Sequence, residues 1–233
     1  MRIKKEPLKP FYNIENDYEI GVDECARGPL FGRLYTASVI LPKDESFDHS
    51  LMKDSKKIHN RNKMRELSDY IKEKAISWNI QYIEADVIDN INIRQAVLKG
   101  MRDSINTVLN NIDPTYSHKI LLVIDGNDFL PYTVFDNKTE TIKEIPHLTV
   151  EKGDNTYSFI AAASILAKNA HDEYIIELCE KYPDLKTRYS LHENVGYGTA
   201  KHLQGIIEHG ITQWHRKTFG CCQRATLNEI TEN

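Results

Sequence analysis

The sequence predicts an α/β sandwich followed by a helical C-terminal extension. Three observations carry this: short β-branched apolar runs, apolar stripes at helical spacing between them, and no Gly/Ser/Pro-rich linker or internal repeat. At 233 residues with 40% hydrophobic side chains, the chain can bury a substantial core as one large or two small domains.

In chain order, strands are expected around 18–23 and 34–41. Met64, Leu67, Ile71 and Ala75 fall at helical spacing. A strand at 79–84 precedes a second helical stripe, Ile93, Val97, Met101, Ile105, Val108 and Ile112. The continuous run Ile120-Leu121-Leu122-Val123-Ile124 reads as a strand buried on both faces. Next, Tyr132-Thr133-Val134-Phe135, the turn Asp136-Asn137-Lys138 and Thr141 to Ile145 read as a β-hairpin. A strand at 147–150 leads to an apolar helix with a small-residue face, expected over 156–181 because Tyr182-Pro183 stops it. A turn-rich section then leads to a helix at 199–209, which Gly210 closes.

Acids cluster at the ends of these elements. Asp23 and Glu24 sit in Gly-Val-Asp-Glu-Cys-Ala-Arg-Gly-Pro-Leu (21–30), where the first strand meets a turn. Strand neighbours face opposite ways, so the two converge on one ion only if the strand ends or twists there. Asp125 leaves the buried strand in Asp-Gly-Asn, which is also an ordinary turn sequence. Asp154 lies in Glu-Lys-Gly-Asp-Asn (151–155), where either it or Asn155 is a plausible helix N-cap.

Five segments in order, GVDECARGPL, DSKK (54–57), LLVIDGN (121–127), EKGDNTYSFIAAASILAK (151–168) and VGYGT (195–199), resemble the type 2 ribonucleases H, most closely ribonuclease HII. The resemblance implies a ribonuclease H-like fold with a central mixed β-sheet flanked by helices. The chain is expected to comprise an N-terminal extension (1–17), a catalytic domain (18–183), a C-terminal helical substrate-contacting region (184–225) and a tail (226–233) whose polarity predicts fraying. The resemblance also implies that Asp23, Glu24, Asp125 and Asp154 are the catalytic, metal-binding carboxylates. Ala26, Arg27 and Gly28 would form the turn that contacts the 2′-hydroxyl, Lys56 and Lys57 would act on the phosphate backbone, and Tyr197 would read the RNA-to-DNA junction. Four acids brought together repel, so such a set implies cations. Oxygen-only ligation selects Mg2+ or Mn2+ over zinc.

The implied reaction is hydrolysis of RNA in RNA–DNA hybrids and cleavage 5′ of ribonucleotides embedded in duplex DNA, leaving 3′-hydroxyl and 5′-phosphate ends. The implied roles are ribonucleotide removal and primer removal. A hybrid-binding protein without turnover is the rival on the same fold. The family's type 3 enzymes usually carry a further N-terminal substrate-binding domain, which the short stretch before the first strand disfavours. Ala26 departs from the family pattern, which usually has glycine there. Alanine is tolerable at negative φ and strained at positive φ, so position 26 bears on 2′-hydroxyl selectivity.

The formal charge of −4 hides a local excess of Lys53, Lys56, Lys57, Arg61, Lys63 and Arg65 opposed by Asp54, a pattern that suits either phosphate contact or a solvated face. His192, His202, His209 and His215, with Cys25, Cys179, Cys221 and Cys222, make no recognised zinc spacing. No stretch reads as a signal peptide or a membrane span, so a cytoplasmic protein with reduced thiols is expected; a monomer is also expected.

Overall fold

The computed structural model describes residues 7–112, 118–136 and 139–231. The chain divides into two compact units, each assembled from separate stretches of sequence. The first contains residues up to 24, 36–81 and 98–169; the second contains 25–35, 82–97 and 170 onwards.

The first unit is built on a five-stranded mixed sheet of order β3-β2-β1-β4-β7. These strands are β1 (Tyr18–Cys25), β2 (Leu34–Ile40), β3 (Ser77–Ile83), β4 (Ile120–Asp125) and β7 (His147–Val150). β1 pairs parallel with β4, Val22 opposite Ile124, and β4 pairs parallel with β7, Asp125 opposite Val150. Parallel strands covered on both faces read as continuous apolar runs. Accordingly Ile20, Val22, Leu122, Val123 and Ile124 are fully buried.

Helix α1 (Arg61–Lys74) turns Met64, Leu67 and Ile71 inward, with Asn60 capping it through the Lys63 amide at 3.1 Å. The second predicted stripe forms α3 (Ile93–Ile112), preceded by a short α2 (Ala85–Ile91). Helix α4 (Ser158–Lys181) ends where Tyr182-Pro183 was expected to stop it. Its first turn lies close against β1: a Cβ on Gly21 would lie 2.5 Å from the Phe159 carbonyl oxygen, so only glycine in β1 permits this approach. The expected hairpin is β5 (Tyr132–Asp136) antiparallel to β6 (Thr141–Ile145), Phe135 opposite Ile142. Its turn residues 137–138 lie outside the described residues.

The second unit collects α2, the later half of α4, α5 (Asp184–Tyr189), α6 (Leu191–Asn194) and α7 (Ala200–His209). Phe31, Ile175, Leu185, Tyr189, Leu191 and Ile206 form its core. Thr199 caps α7, and Gly210 at φ 74° closes it as expected. The tail expected to fray is held through residue 230. Thr226 and Asn228 bond the backbone of Ile211, and the Ile230 amide donates to Gln213 at 3.0 Å with its side chain buried. Polarity suggested fraying, but bonds to the Ile211 backbone and to the Gln213 side chain decide the matter locally. Residues 232–233 lie outside the described residues. No helix among the described residues is long and apolar enough to cross a membrane.

Candidate active site

The carboxylates of the first unit come from β1, β4 and the 3-10 turn Gly153–Asn155 ahead of α4. β1 does not end at Asp23 but continues to Cys25, so Asp23 and Glu24 are both strand residues. Their environments differ as strand alternation requires: Asp23 is 4% exposed and Glu24 is half-buried. Asp154 is buried inside the 3-10 turn rather than capping α4, which starts four residues later.

Electrostatics connects these groups. Burial, then Glu24, then Asp125 push the Asp23 carboxyl well above its ordinary pKa, while the Ser164 hydroxyl and the Glu24 amide (2.7 Å) oppose the shift. Burial and then Asp154 likewise raise Asp125, whose Oδ1 accepts the Gly153 amide at 2.6 Å. Burial works against the charge of Lys56, but Asp154, Asp23, Asp54 and Asp125 together outweigh it and raise its pKa. Among the described residues no three His, Cys, Asp or Glu side chains converge tightly enough to hold an ion as they stand. Like charges forced together resist closing on one another, and a divalent cation would reverse that force. The donors fit one: they are oxygen-only, substantially buried and short of positive charge, the set that suits Mg2+ or Mn2+.

The DSKK segment separates its two lysines. Lys57 Nζ bonds Asp54 Oδ2 at 2.7 Å and Asn155 Oδ1 at 2.6 Å. Asn155 in turn donates to Asp154 Oδ1 at 3.0 Å and to Asp54 Oδ2 at 3.2 Å. Lys57 therefore belongs to a network that holds Asp154, whereas Lys56 feels the combined charge of Asp154, Asp23, Asp54 and Asp125. Ser55 links the same segment to α4 through a 2.9 Å bond to Ser164, the residue that touches Asp23. Sequence reasoning missed Asp54, Ser55, Asn155 and Ser164 as supports. Their signal was present: a serine in an Ala/Ile/Leu run, and polar residues flanking two motif positions.

In the second unit the turn after β1 carries Ala26, buried at φ 67°, with Arg27 and Gly28 exposed. Position 26 thus has the left-handed backbone that glycine adopts freely and alanine only at a cost. Three effects compete on exchange to glycine: relief of the left-handed cost (~1–2 kcal/mol), a greater entropy loss on folding (~0.5–1 kcal/mol) and loss of a buried methyl (~0.8 kcal/mol). They nearly cancel. Ala26→Gly should therefore move the unfolding free energy by less than about 1 kcal/mol in a denaturant melt. A larger change would mean that the methyl itself shapes the turn.

Tyr197 follows two residues of positive φ, Val195 (44°) and Gly196 (89°), and its ring is 44% exposed rather than in the core. A Cβ added to Gly28 would lie 3.9 Å from the ring's Cε1, so the ring and the Ala26–Gly28 turn are neighbours. The Leu30 amide donates to the Gly196 carbonyl at 2.9 Å. Behind them runs a polar chain absent from the sequence reading. The Thr212 amide donates to His215 Nδ1 (2.9 Å), His215 Nε2 meets His202 Nε2 (3.1 Å), and His202 Nδ1 meets the Tyr197 carbonyl (3.0 Å). Each imidazole then donates toward Tyr197, which fixes both tautomers as neutral. Burial, joined by the neighbouring His202, holds His215 down at about 3.

The model of the family Ribonuclease HII matches residues 20–222, a span that contains every motif read from the sequence. Ribonuclease HII of Bacteroides thetaiotaomicron is 38% identical over 221 residues, covering 95% of this chain and 98% of the relative. That of Parabacteroides distasonis is 40% identical over 201 residues, covering 86% and 89%. Among solved structures, ribonuclease H2 from Pyrococcus horikoshii OT3 superposes with a TM-score of 0.67 at 20% identity, covering 89% of this chain and 96% of that one, a likeness of fold. Since the family match extends from β1 into the turn that holds Cys222, and relatives align over nearly their whole length, the chain belongs to the ribonuclease HII family, the type 2 ribonucleases H.

Proposed function

We propose that this ribonuclease H cleaves RNA in RNA–DNA hybrids and cuts 5′ of single ribonucleotides embedded in duplex DNA, leaving 3′-hydroxyl and 5′-phosphate ends. The observation that carries the chemistry is the set of mutually repelling carboxylates around Lys56, in which Asp23 is almost fully buried. Asp23, Glu24, Asp125 and Asp154 would hold two Mg2+ or Mn2+ ions. Such ions, when bound, activate water and stabilise the departing oxygen of an in-line displacement at phosphorus.

The chain's own residues do the rest. Ser164 and the Glu24 amide orient the Asp23 carboxylate, the Gly153 amide orients Asp125, and Asn155, tethered by Lys57 and Asp54, orients Asp154. Ala26, Arg27 and Gly28 contact the 2′-hydroxyl, and the Tyr197 ring lies against the sugar of the junction. The support is chemical: backbone amides and one exposed aromatic ring tell ribose from deoxyribose without reading a base. The cellular roles that follow are removal of embedded ribonucleotides and of primer RNA.

Duplex DNA carrying one ribonucleotide, incubated with Mg2+, should yield a single nick 5′ of that residue. Tight binding without turnover would favour the hybrid-binding alternative instead.

Lys56 supplies a separable test. Its charge is stabilised by the surrounding carboxylates, and a lysine that neutralises a phosphate releases counterions on association. Lys56→Met should weaken duplex binding and reduce the slope of log K against log salt by about 1. Lys57→Met, which instead loosens the Asp54–Asn155 tether, should leave that slope in place. An unchanged slope for Lys56→Met would confine that lysine to balancing the carboxylates.

A further inference from the structure

Arg216 is among the largest fully buried side chains of the described residues, and nothing above gives it a role. All three guanidinium nitrogens donate to main-chain carbonyls of one turn: Nε to Gly32 at 3.0 Å, Nη1 to Arg27 at 3.1 Å and Nη2 to Ala26 at 2.7 Å. Its own amide donates to the Leu30 carbonyl at 2.8 Å. A buried charge is costly, and a turn that needed only satisfied carbonyls could be served by water or a neutral donor.

Peptide geometry shows what the charge achieves. In a trans peptide the C=O and the following N–H point in opposite directions. Drawing the Ala26 and Arg27 carbonyls inward onto the guanidinium therefore turns the Arg27 and Gly28 amides away from it, on the other side of the turn. A charged donor on a carbonyl also polarises its peptide unit, which makes the attached N–H a stronger donor. The same contact restrains Ala26 at its φ of 67°, a conformation that alanine does not hold unaided. The neighbouring residue, His215, reaches the Tyr197 carbonyl through His202. Two consecutive side chains thus hold the backbone beside both sugar-reading features.

We propose that Arg216 is a positioning residue for ribose recognition: it aims and strengthens the Arg27 and Gly28 amides that meet the 2′-hydroxyl. This rests on the function proposed above, and the test separates the two. Wild type and Arg216→Lys, which keeps the charge but not the planar three-way fork, are compared on one duplex with a single ribonucleotide and on its all-DNA counterpart. Dissociation constants measured in Ca2+ read sugar discrimination without turnover, cleavage in Mg2+ reads turnover, and thermal melting reads the fold.

Arg216→Lys should lower the preference for the ribonucleotide duplex by about five- to tenfold. Its affinity for all-DNA duplex should stay within about twofold and its melting should remain cooperative. Because the substitution could unfold the protein, both forms are repeated on the Ala26→Gly background, where the left-handed turn no longer strains residue 26. An unchanged preference, an equal loss on both duplexes, or failure to fold on both backgrounds would assign Arg216 to the fold and overturn the proposal. A wild type that prefers the ribonucleotide duplex yet does not cut it would sink the catalytic reading while leaving the Arg216 comparison decisive. A wild type with no preference would end the proposal outright.

Discussion

Asp125→Asn should leave the protein folded and slow cleavage about a thousandfold, equivalent to ~4 kcal/mol of transition-state stabilisation. The substitution is isosteric, so the oxygen that accepts the Gly153 amide at 2.6 Å is retained and the Gly153–Asn155 turn keeps its anchor. What disappears is one negative charge. That charge is held at a cost, since burial and Asp154 both act against it. The variant should therefore melt at the same temperature as wild type or higher, while single-turnover cleavage collapses. Loss of activity with unchanged or raised stability is the mark of a group kept for chemistry at the expense of the fold. Near-normal cleavage would remove Asp125 from the site, and a large fall in melting temperature would make it a structural anchor of β4.

Tyr197→Ala should reduce cleavage at a single embedded ribonucleotide by about a hundredfold, ~2.7 kcal/mol, a plausible sum for one ring stacked on a sugar plus the orientation it enforces. Uniform hybrids have ribose on both sides of every scissile bond and no junction to read, so they should lose much less. Tyr197→Phe keeps the ring and should stay near wild type on both. Stability should barely change, because the ring is 44% exposed and the turn is held by its backbone, through the His202 contact and the Leu30–Gly196 bond. Equal losses on the two substrates would reassign the ring from junction reading to general support.

Much of this was legible because it depends on local patterns. Ile120 to Ile124 reads as a covered strand from composition alone, Pro183 stops α4, and Gly210 closes α7, each for a reason contained within a few residues. The family motifs marked which acids, lysines and aromatic ring to watch. The positive φ of Ala26 was not legible, because alanine carries no signal for a left-handed backbone. Neither was the divergence of Lys56 from Lys57. Adjacent identical side chains differ only in their tertiary surroundings: Lys57 is bonded to Asp54 and Asn155, while Lys56 feels the charge of Asp154 and Asp23.

The sequence by itself determined the class of fold, the order of its elements and the family, and it named the residues expected to carry the chemistry. These follow from periodicity, end signals and motifs, which are properties of neighbours along the chain. Tertiary structure alone decided that β1 runs through Asp23 and Glu24 to Cys25, that residues 226–230 are pinned, and that Ser164 and Asn155 brace the carboxylates. It alone also put the Arg216 guanidinium beneath a turn almost two hundred positions earlier in the chain. Hydrogen bonds and charge act over a few ångströms of space whatever the separation in sequence, so partners of this kind appear only once the chain has folded.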